Sequence, residues 1–379
     1  MKIAWIGQKG IPATFGGVEY HVDRLSRGLA ARHHQGSVYV RNWYTDRRLK
    51  RYDGVKLISV PTLRTKHLDA AVHCFLSSVH CLFTGAQIIH YQGMGPSLFS
   101  FIPRLFGRKV VATIHRLDWA TEKWGPVAKY FLKMGERFSV RIPHRTITVS
   151  EEIKKYVRNH YGKEAVYIPN GIQQPQVRPL RALGPRYGLS SKNYILFMGR
   201  LVPEKRPDWL IRAFLDMQAA NDSFKPLKLV IAGGSSATDD YVRKIHDAAR
   251  TSPSVIFPGY VWGEDKEELL SHALLFVLPS YLEGAPIALL EAKSYGLCCL
   301  ASDIIPHRDV IQHGRDGWLF RSGSREDFKT SLRTLVKQPE ILQRLGRNAR
   351  ASVQKRLSWD DVVEMTIKIY RDVLDGKRL

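Results

Sequence analysis

Acidic side chains are scarce in the first half of this chain. Residues 1–180 hold 11 Asp and Glu against 28 Lys and Arg, a surplus of 17 positive charges, whereas the remainder holds 24 against 30. An excess of that size points to an anionic partner: an anionic membrane surface, an anionic substrate or nucleic acid. No helix-turn-helix, zinc-finger or RNA-recognition signature accompanies it, which argues against nucleic acid. Cysteine is scarcer still, with Cys74 and Cys81 on one predicted helix face and Cys298 next to Cys299 in a predicted strand. Neither arrangement has the spacing of a zinc site or a disulfide framework, so all four read as packed thiols in a reducing cytoplasm. Long hydrophobic runs are also missing. The most apolar stretch, "LDAAVHCFLSSVHCLFTGAQIIHY", is broken by His73, His80, Gly85 and Gln87, which predicts a buried helix followed by a strand instead of a membrane span. "MKIAWIGQKG" turns polar after six residues, against a signal peptide. These absences lead us to expect a cytoplasmic protein, with peripheral attachment at the inner face of a membrane as the use of the basic half.

Short β-branched runs alternate with helix-period segments from end to end. Seven precede residue 171 ("KIAWIG", "VYVRNWY", "VKLISV", "QIIHYQG", "KVVATIH", "RTITVS", "VYIPNG") and six follow ("YILFMG", "LKLVIAGG", "VIFPGY", "LLFVLPS", "CCLAS", "GWLF"). Such alternation predicts parallel sheets covered by helices on both faces, an α/β class. About thirteen strands in 379 residues suit two doubly wound domains better than one sheet. Prolines and glycines recur through "GIQQPQVRPLRALGPRYG", which places domains at 1–172 and 189–357 with a linker at 173–188. The segment "WDDVVEMTIKIYRDVL" follows the cap residue Ser358 at helical spacing, and residues 358–379 can pack on either domain, packing back on the first being one of the two placements left open.

In open α/β sheets ligands bind beyond the carboxyl ends of the strands, and four motifs sit at such ends. After the first strand, Gly16 and Gly17 can bring backbone N–H groups close to a phosphate, and a helix starting near Val18 adds its positive end. The loop lacks both the dinucleotide G-x-G-x-x-G spacing and the lysine-serine end of a P-loop. The strand "VVATI" ends in His115, followed by Asp118 and Trp119, where an imidazole can meet a substrate hydroxyl. The strand "YILFM" gives way to Gly199, Arg200 and Lys205, two cations flanking the place of a phosphate, with Pro207 suited to open a helix. The strand "LLFVLP" runs into Ser280, Glu283 and Gly284, with Pro286 suited to the first turn of a helix holding Glu291. Eight helical steps would separate the two glutamates by ~12 Å and turn one about 80° from the other. A glycosidase acid and base need roughly 5 to 9.5 Å between carboxyls, so these are not such a pair. With Glu283 in the preceding loop, both can face one elongated ligand, Glu291 at a ribose and Glu283 at a sugar, with the N–H groups of Gly284 and Ala285 toward the adjoining diphosphate.

Together these residues resemble the retaining glycosyltransferases of the GT-B fold, family four. The signature E-x7-E appears as "EGAPIALLE" after Pro279 and Ser280, "GRLVPEK" matches the family's G-R-x-x-x-E-K loop, Gly16 and Gly17 its glycine pair, and "SDI" its Ser-Asp-Ile. "VSEEIKKYV" and "IPNGI" resemble the segments before its linker, and "KGIPATFGGVE", "IHRLDW" and "EKWG" resemble a bacterial subgroup that includes rhamnosyltransferases of polysaccharide assembly. The resemblance implies two Rossmann-like domains facing across a cleft, a nucleotide-diphosphate-sugar donor held by the second, and a glycan or lipid-linked acceptor on the side of the first. It implies that Arg200 and Lys205 neutralise the diphosphate, Glu291 holds the ribose, Glu283 holds sugar hydroxyls, His115 contacts the sugar near the reacting carbon, and Gly16 and Gly17 close over the phosphates. Gly199, Gly284 and Ala285 would line the donor, and Glu19 and Asp118 the acceptor side. A front-side displacement with an oxocarbenium-like transition state is the family's expected chemistry. No Asp-x-Asp triplet occurs, so neither a catalytic metal nor a cofactor is expected. Two departures stand out. Cys298 replaces the usual proline and is read as packed, and "EAKS" replaces Glu-Ala-Met-Ala, with Lys293 read as facing solvent. A sugar-nucleotide epimerase of the same fold and a non-catalytic membrane-surface adaptor stay open as alternatives. The joint presence of Arg200, Lys205, Glu283 and Glu291 favours transfer.

Overall fold

The β-branched runs pair edge to edge in two separate sheets in the computed structural model, which describes every residue except 64, 66, 67, 121–124, 236, 237, 378 and 379. The Glu-Lys-Trp part of "EKWG" therefore lies outside the described residues. One unit comprises Met1–Gly171 with Leu357–Leu379, the other Ile172–Arg356.

The first unit holds β1 (Lys2–Ile6), β2 (Gln35–Arg41), β3 (Arg51–Tyr52), β4 (Val55–Val60), β5 (Ile88–Gln92), β6 (Lys109–Ile114), β7 (Arg145–Thr148) and β8 (Val166–Tyr167). Their order is β3-β4-β2-β1-β5-β6-β7-β8, parallel except for β3 against β4. The second unit holds β9 (Tyr194–Met198), β10 (Lys228–Ala232), β11 (Val255–Gly259), β12 (Leu275–Leu278), β13 (Cys299–Ser302) and β14 (Trp318–Phe320), all parallel in the order β11-β10-β9-β12-β13-β14. This is the doubly wound architecture expected. The central strands are buried along their whole length, as helices on both faces require. Thirteen strands fall on the expected runs. The other, β3, is two residues long and too short to show alternation; it pairs with β4 across Asp53-Gly54, both at positive φ (44° and 82°), the pattern of a tight hairpin turn.

Apart from the β3–β4 hairpin at its edge, the strand order of the first sheet reverses between β1 and β5, and that of the second reverses between β9 and β12. Crevices outside the carboxyl ends of such strands are where ligands bind in open α/β sheets. The helix Trp359–Leu374 completes the first unit. Ser358 and Asp361 cap it reciprocally, and Val362, Val363, Ile367, Tyr370 and Val373 enter the core that β1 and the helix Gly17–Ala31 build. Gly28 permits this docking, because a Cβ there would lie 2.5 Å from Cγ2 of Val363. The stretch 173–188 lies within the second unit and contains a short helix, Leu183–Tyr187. Glu268 holds it, accepting hydrogen bonds from the backbone N–H groups of Ala182, Leu183 and Gly184. Three donors that a helix start leaves unpaired thereby meet one buried carboxylate.

Candidate active site

In the second unit β9 and β12 diverge at their carboxyl ends, and the loops that follow are tied together. Tyr281 N donates to the Glu204 carbonyl at 2.9 Å. Gly199 N donates to the Ala232 carbonyl, and a Cβ on Gly233 would lie 1.8 Å from the Gly199 oxygen, so two backbones meet where a side chain cannot fit. A 3-10 turn, Pro203–Lys205, folds Lys205 back over the end of β9, where a Cβ on Gly199 would come within 3.1 Å of its chain. Lys205 Nζ then donates to Glu283 Oε1 at 2.5 Å, and Ser280 Oγ donates to the same oxygen at 2.8 Å. Burial pushes the Glu283 carboxyl up, but the adjacent Lys205 ammonium, the nearby His307 and the two hydrogen bonds outweigh it and hold the group below its ordinary value. Glu283 is thus a carboxylate at neutral pH. Arg200 is half-buried beside Gly199 at the strand end.

The helix carrying Glu291 runs Ile287–Ser294, with Pro286 as the residue before its first turn, one position earlier than the expected placement inside that turn. Glu283 accordingly stays in the loop, and Gly284 and Ala285 form the half-buried bend between the two glutamates. Glu291 accepts from Lys266 Nζ at 2.7 Å, a partner that the sequence pattern did not suggest because it lies 25 residues upstream on another helix. Two carboxylates and two lysines therefore meet in pairs along one stretch.

Lys293 corrects the expectation of a solvent-facing side chain. It is fully buried, and its ammonium meets Asp316 Oδ2 at 2.9 Å and the Val310 carbonyl. A buried ammonium needs a charge partner and acceptors, and Asp316 supplies one while its other oxygen accepts from Gln312 N. Cys298 is packed, as expected.

In the first unit Gly16 alone of the glycine pair has a positive φ, 103°, and Gly17 already opens the helix Gly17–Ala31. Glu19 is buried and turned back into the loop. Its Oε1 accepts from Lys9 N at 3.1 Å, and a Cβ on Gly16 would lie 1.9 Å from its Oε2. Asp23 accepts from Ala13 N, and the Tyr44 hydroxyl accepts from Thr14 N and Phe15 N. The glycine loop is therefore pinned by three side chains, of which only Glu19 was singled out in the sequence. His115 Nε2 lies 2.8 Å from the side-chain amide of Gln92, a hydrogen bond that fixes the orientation of the ring. Burial, then His21, His90 and Arg116, push the His115 pKa well below the ordinary imidazole value, leaving it neutral. His21 packs edge-on at 4.9 Å between ring centroids and is fixed by Asn170 at 2.8 Å. Asp118 accepts from Arg116 Nε at 2.7 Å.

The candidate residues thus follow β9 and β12 at the reversal point of the second unit, and β1 and β6 in the first, the carboxyl-end placement expected of two doubly wound domains. Residues 15–174 match the model of Glycosyltransferase Family 4 and residues 186–352 that of Glycosyl transferases group 1. The chain belongs with these group 1, family-four-like glycosyltransferases. Two relatives illustrate the similarity. An uncharacterized glycosyltransferase of Methanocaldococcus jannaschii is 23% identical, with 99% of each chain covered. The UDP-Gal:alpha-D-GlcNAc-diphosphoundecaprenol alpha-1,3-galactosyltransferase of Escherichia coli is 26% identical, over 71% of this chain and 70% of that protein. Among solved structures, HepE of Anabaena in complex with UDP and glucose superposes with a TM-score of 0.79 at 17% identity, covering 98% of this chain and all of that one.

Proposed function

We propose that this enzyme moves a sugar from a nucleotide-diphosphate donor to a hydroxyl of a glycan or lipid-linked acceptor, with retained anomeric configuration, in bacterial polysaccharide assembly. The observation that carries the reading is the pairing of Lys205 with Glu283 at the reversal point of the second sheet, beside Arg200. An ammonium held by a carboxylate in a half-buried loop is already oriented, and it can turn to a diphosphate as negative charge develops on the leaving group. Glu283, kept ionised by Lys205 and Ser280, accepts sugar hydroxyls, and Glu291 beside Lys266 accepts those of the ribose. Gly199, Gly284 and Ala285 present backbone to the donor, and Gly16 and Gly17 close over it. His115, neutral and oriented by Gln92, meets a hydroxyl near the reacting carbon. In this reading Glu19 acts by shaping the glycine loop, and Asp118 by holding Arg116 on the acceptor side. The lack of an Asp-x-Asp triplet supports a reaction without metal, and "KGIPATFGGVE" supports a rhamnosyl donor. The UDP-Gal used by the Escherichia coli relative and the UDP and glucose bound by HepE support a nucleotide-sugar donor.

The test is a donor screen read by released nucleoside diphosphate and by the anomeric configuration of the product, with and without EDTA. Arg200→Ala and Lys205→Ala should each lower turnover by about a hundredfold or more, the scale of losing one charge-stabilising group. Wild-type rates in both variants would move the donor site elsewhere, an inverted product would remove the retaining mechanism, and loss of activity in EDTA would restore a metal.

Attachment to an anionic membrane is proposed for the basic half. No described helix is long and apolar enough to cross a membrane. The stretch "SLFSFIPRLFGRK" does expose Leu105 and Phe106 among Arg104, Arg108 and Lys109. Binding to anionic liposomes should fall as salt rises; absence of any salt-sensitive binding would end this part of the proposal.

A further inference from the structure

Trp119 stands four residues beyond His115, and a buried carboxylate fixes it. Its indole N–H donates to Glu136, whose other oxygen accepts from the Tyr156 hydroxyl at 2.9 Å and the Tyr161 hydroxyl at 2.5 Å. The indole thereby forms one wall of an open surface hollow of about 540 Å³ lined by Trp119, Pro126, Lys129, Tyr130 and Lys133. The last four recur at i, i+3, i+4 and i+7 along the helix Pro126–Arg141, so they share one face. Lys133 Nζ lies 5.2 Å over the Trp119 ring. Among the described residues no carboxylate forms an ion pair with Lys129 or Lys133. Among the described residues this open hollow is cationic and aromatic-walled, with no carboxylate paired to its lysines.

An apolar track begins at its edge. On the adjoining strip of the same helix Val127 and Phe131 are 71% and 49% exposed, and farther along Phe138 meets Phe101 at 6.1 Å between ring centroids. Phe101 opens the helix Phe101–Leu105, beyond which Leu105 and Phe106 stand 78% and 68% exposed. Val127 to Phe138 alone spans about 16 Å along the helix axis. Contiguous exposed apolar side chains mark a contact surface. A free glycan has no use for the track, and an uncharged apolar partner has none for the lysines. A molecule with a phosphate at one end and a hydrocarbon chain at the other uses both.

We propose that this hollow is the subsite for the phosphoryl group of a lipid-linked acceptor, with Lys129 and Lys133 on the phosphate oxygens, Trp119 against the first carbons, and the hydrocarbon chain along Val127, Phe131, Phe138 and Phe101. It rests on the glycosyl-transfer reading and names the acceptor class. The subsite lies one short segment from His115, so it would hold the acceptor by the end opposite its reacting hydroxyl.

Farnesyl diphosphate supplies a phosphate probe with a tail; inorganic pyrophosphate lacks the tail and farnesol the phosphate. By calorimetry the protein should bind farnesyl diphosphate more tightly than either. The variant Lys129→Gln/Lys133→Gln should lose about tenfold in that affinity or more, as expected for removing two charge-assisted contacts. The variant Arg200→Ala/Lys205→Ala should keep it, which separates this subsite from the donor diphosphate site. Phe131→Ser should weaken farnesyl diphosphate while leaving pyrophosphate unchanged. Affinity within about twofold of wild type in Lys129→Gln/Lys133→Gln, or loss confined to the Arg200→Ala/Lys205→Ala variant, overturns the subsite. In turnover, Lys129→Gln/Lys133→Gln should raise KM for a lipid-diphosphate acceptor without changing hydrolysis of the donor in the absence of acceptor. Failure of the wild type to turn over any nucleotide sugar would overturn the transferase reading instead, whatever the lipid probe does.

Discussion

A chain of hydrogen bonds leads from Glu283 away from the ligand face: Ser280 Oγ donates to Glu283, Ser302 Oγ donates to the Ser280 carbonyl, and His307 Nδ1 lies 2.9 Å from the Ser302 carbonyl. A carbonyl only accepts, so Nδ1 carries the proton and the buried Nε2 is a lone pair without a hydrogen-bond partner among the described residues. Burial pushes the His307 pKa down to about 4, so it is neutral through the physiological range. Its contribution is the Nδ1–H donor that orients the loop after β13 and, through Ser302 and Ser280, the carboxylate. His307→Asn keeps a donor near the Nδ1 position and should turn over donor within about threefold of wild type. His307→Leu removes it and should lower kcat about tenfold, one hydrogen bond's worth, with donor KM little changed. Equal kcat in the two variants would show that His307 only fills space. None of this was legible beforehand. "SDI" was read as a family match, but its serine works through residues 22 positions upstream and five downstream, and no local pattern announces such a partnership.

At the scale of elements the sequence was most legible where structure is local. Strand runs, the Pro207 helix start and the Ser358 cap are decided by residues within one or two turns of each other, and all three appear where expected. What escaped was whatever depends on a distant element. Lys293 looked like a surface lysine because its helix has no clear apolar face in sequence, and only the loop around Asp316 converts it into a buried ion pair. Glu291 was read only as a ribose ligand, and its partner Lys266 lies on another helix, Gly263–His272. Glu268 sits on that same helix and accepts the N–H groups of a turn more than eighty residues earlier in the chain. Charges on helices that cover a parallel sheet face neighbours set by topology, and strand order has to be known before such partners can be named. Tyr44 and Asp23, which pin the glycine loop, escaped for the same reason.

Across the whole molecule the two units differ in how they should meet acid. In the first, burial is the leading cause that lowers the pKa of His21, His73 and His144, each to about 4, of His90 to about 3, and of His115 well below the ordinary value. In the second, His307 is the one such imidazole among the described residues. An imidazole whose folded pKa is depressed binds fewer protons folded than unfolded below pH 6.5, so each costs stability as pH falls toward its folded value, about 1.4 kcal/mol per pH unit while that window lasts. Hydrogen exchange followed from pH 7 to 4.5 should therefore show amides of β1, β5 and β6 losing protection before those of β9, β10 and β12. Simultaneous loss, or earlier loss in the second unit, would mean that these imidazoles do not govern acid sensitivity.

The return of the last helix to the first unit bears on how the protein is made. Val362, Val363, Ile367, Tyr370 and Val373 belong to the core that Ile3, Trp5 and Val22 begin, yet the ribosome adds them more than three hundred residues later. The second unit is one uninterrupted stretch and can finish folding as it emerges. The first must wait through that whole interval with an open apolar seam along Gly28, in a segment carrying most of the net positive charge. Net charge of one sign opposes association, so the same surplus would disfavour contact between unfinished chains at that seam.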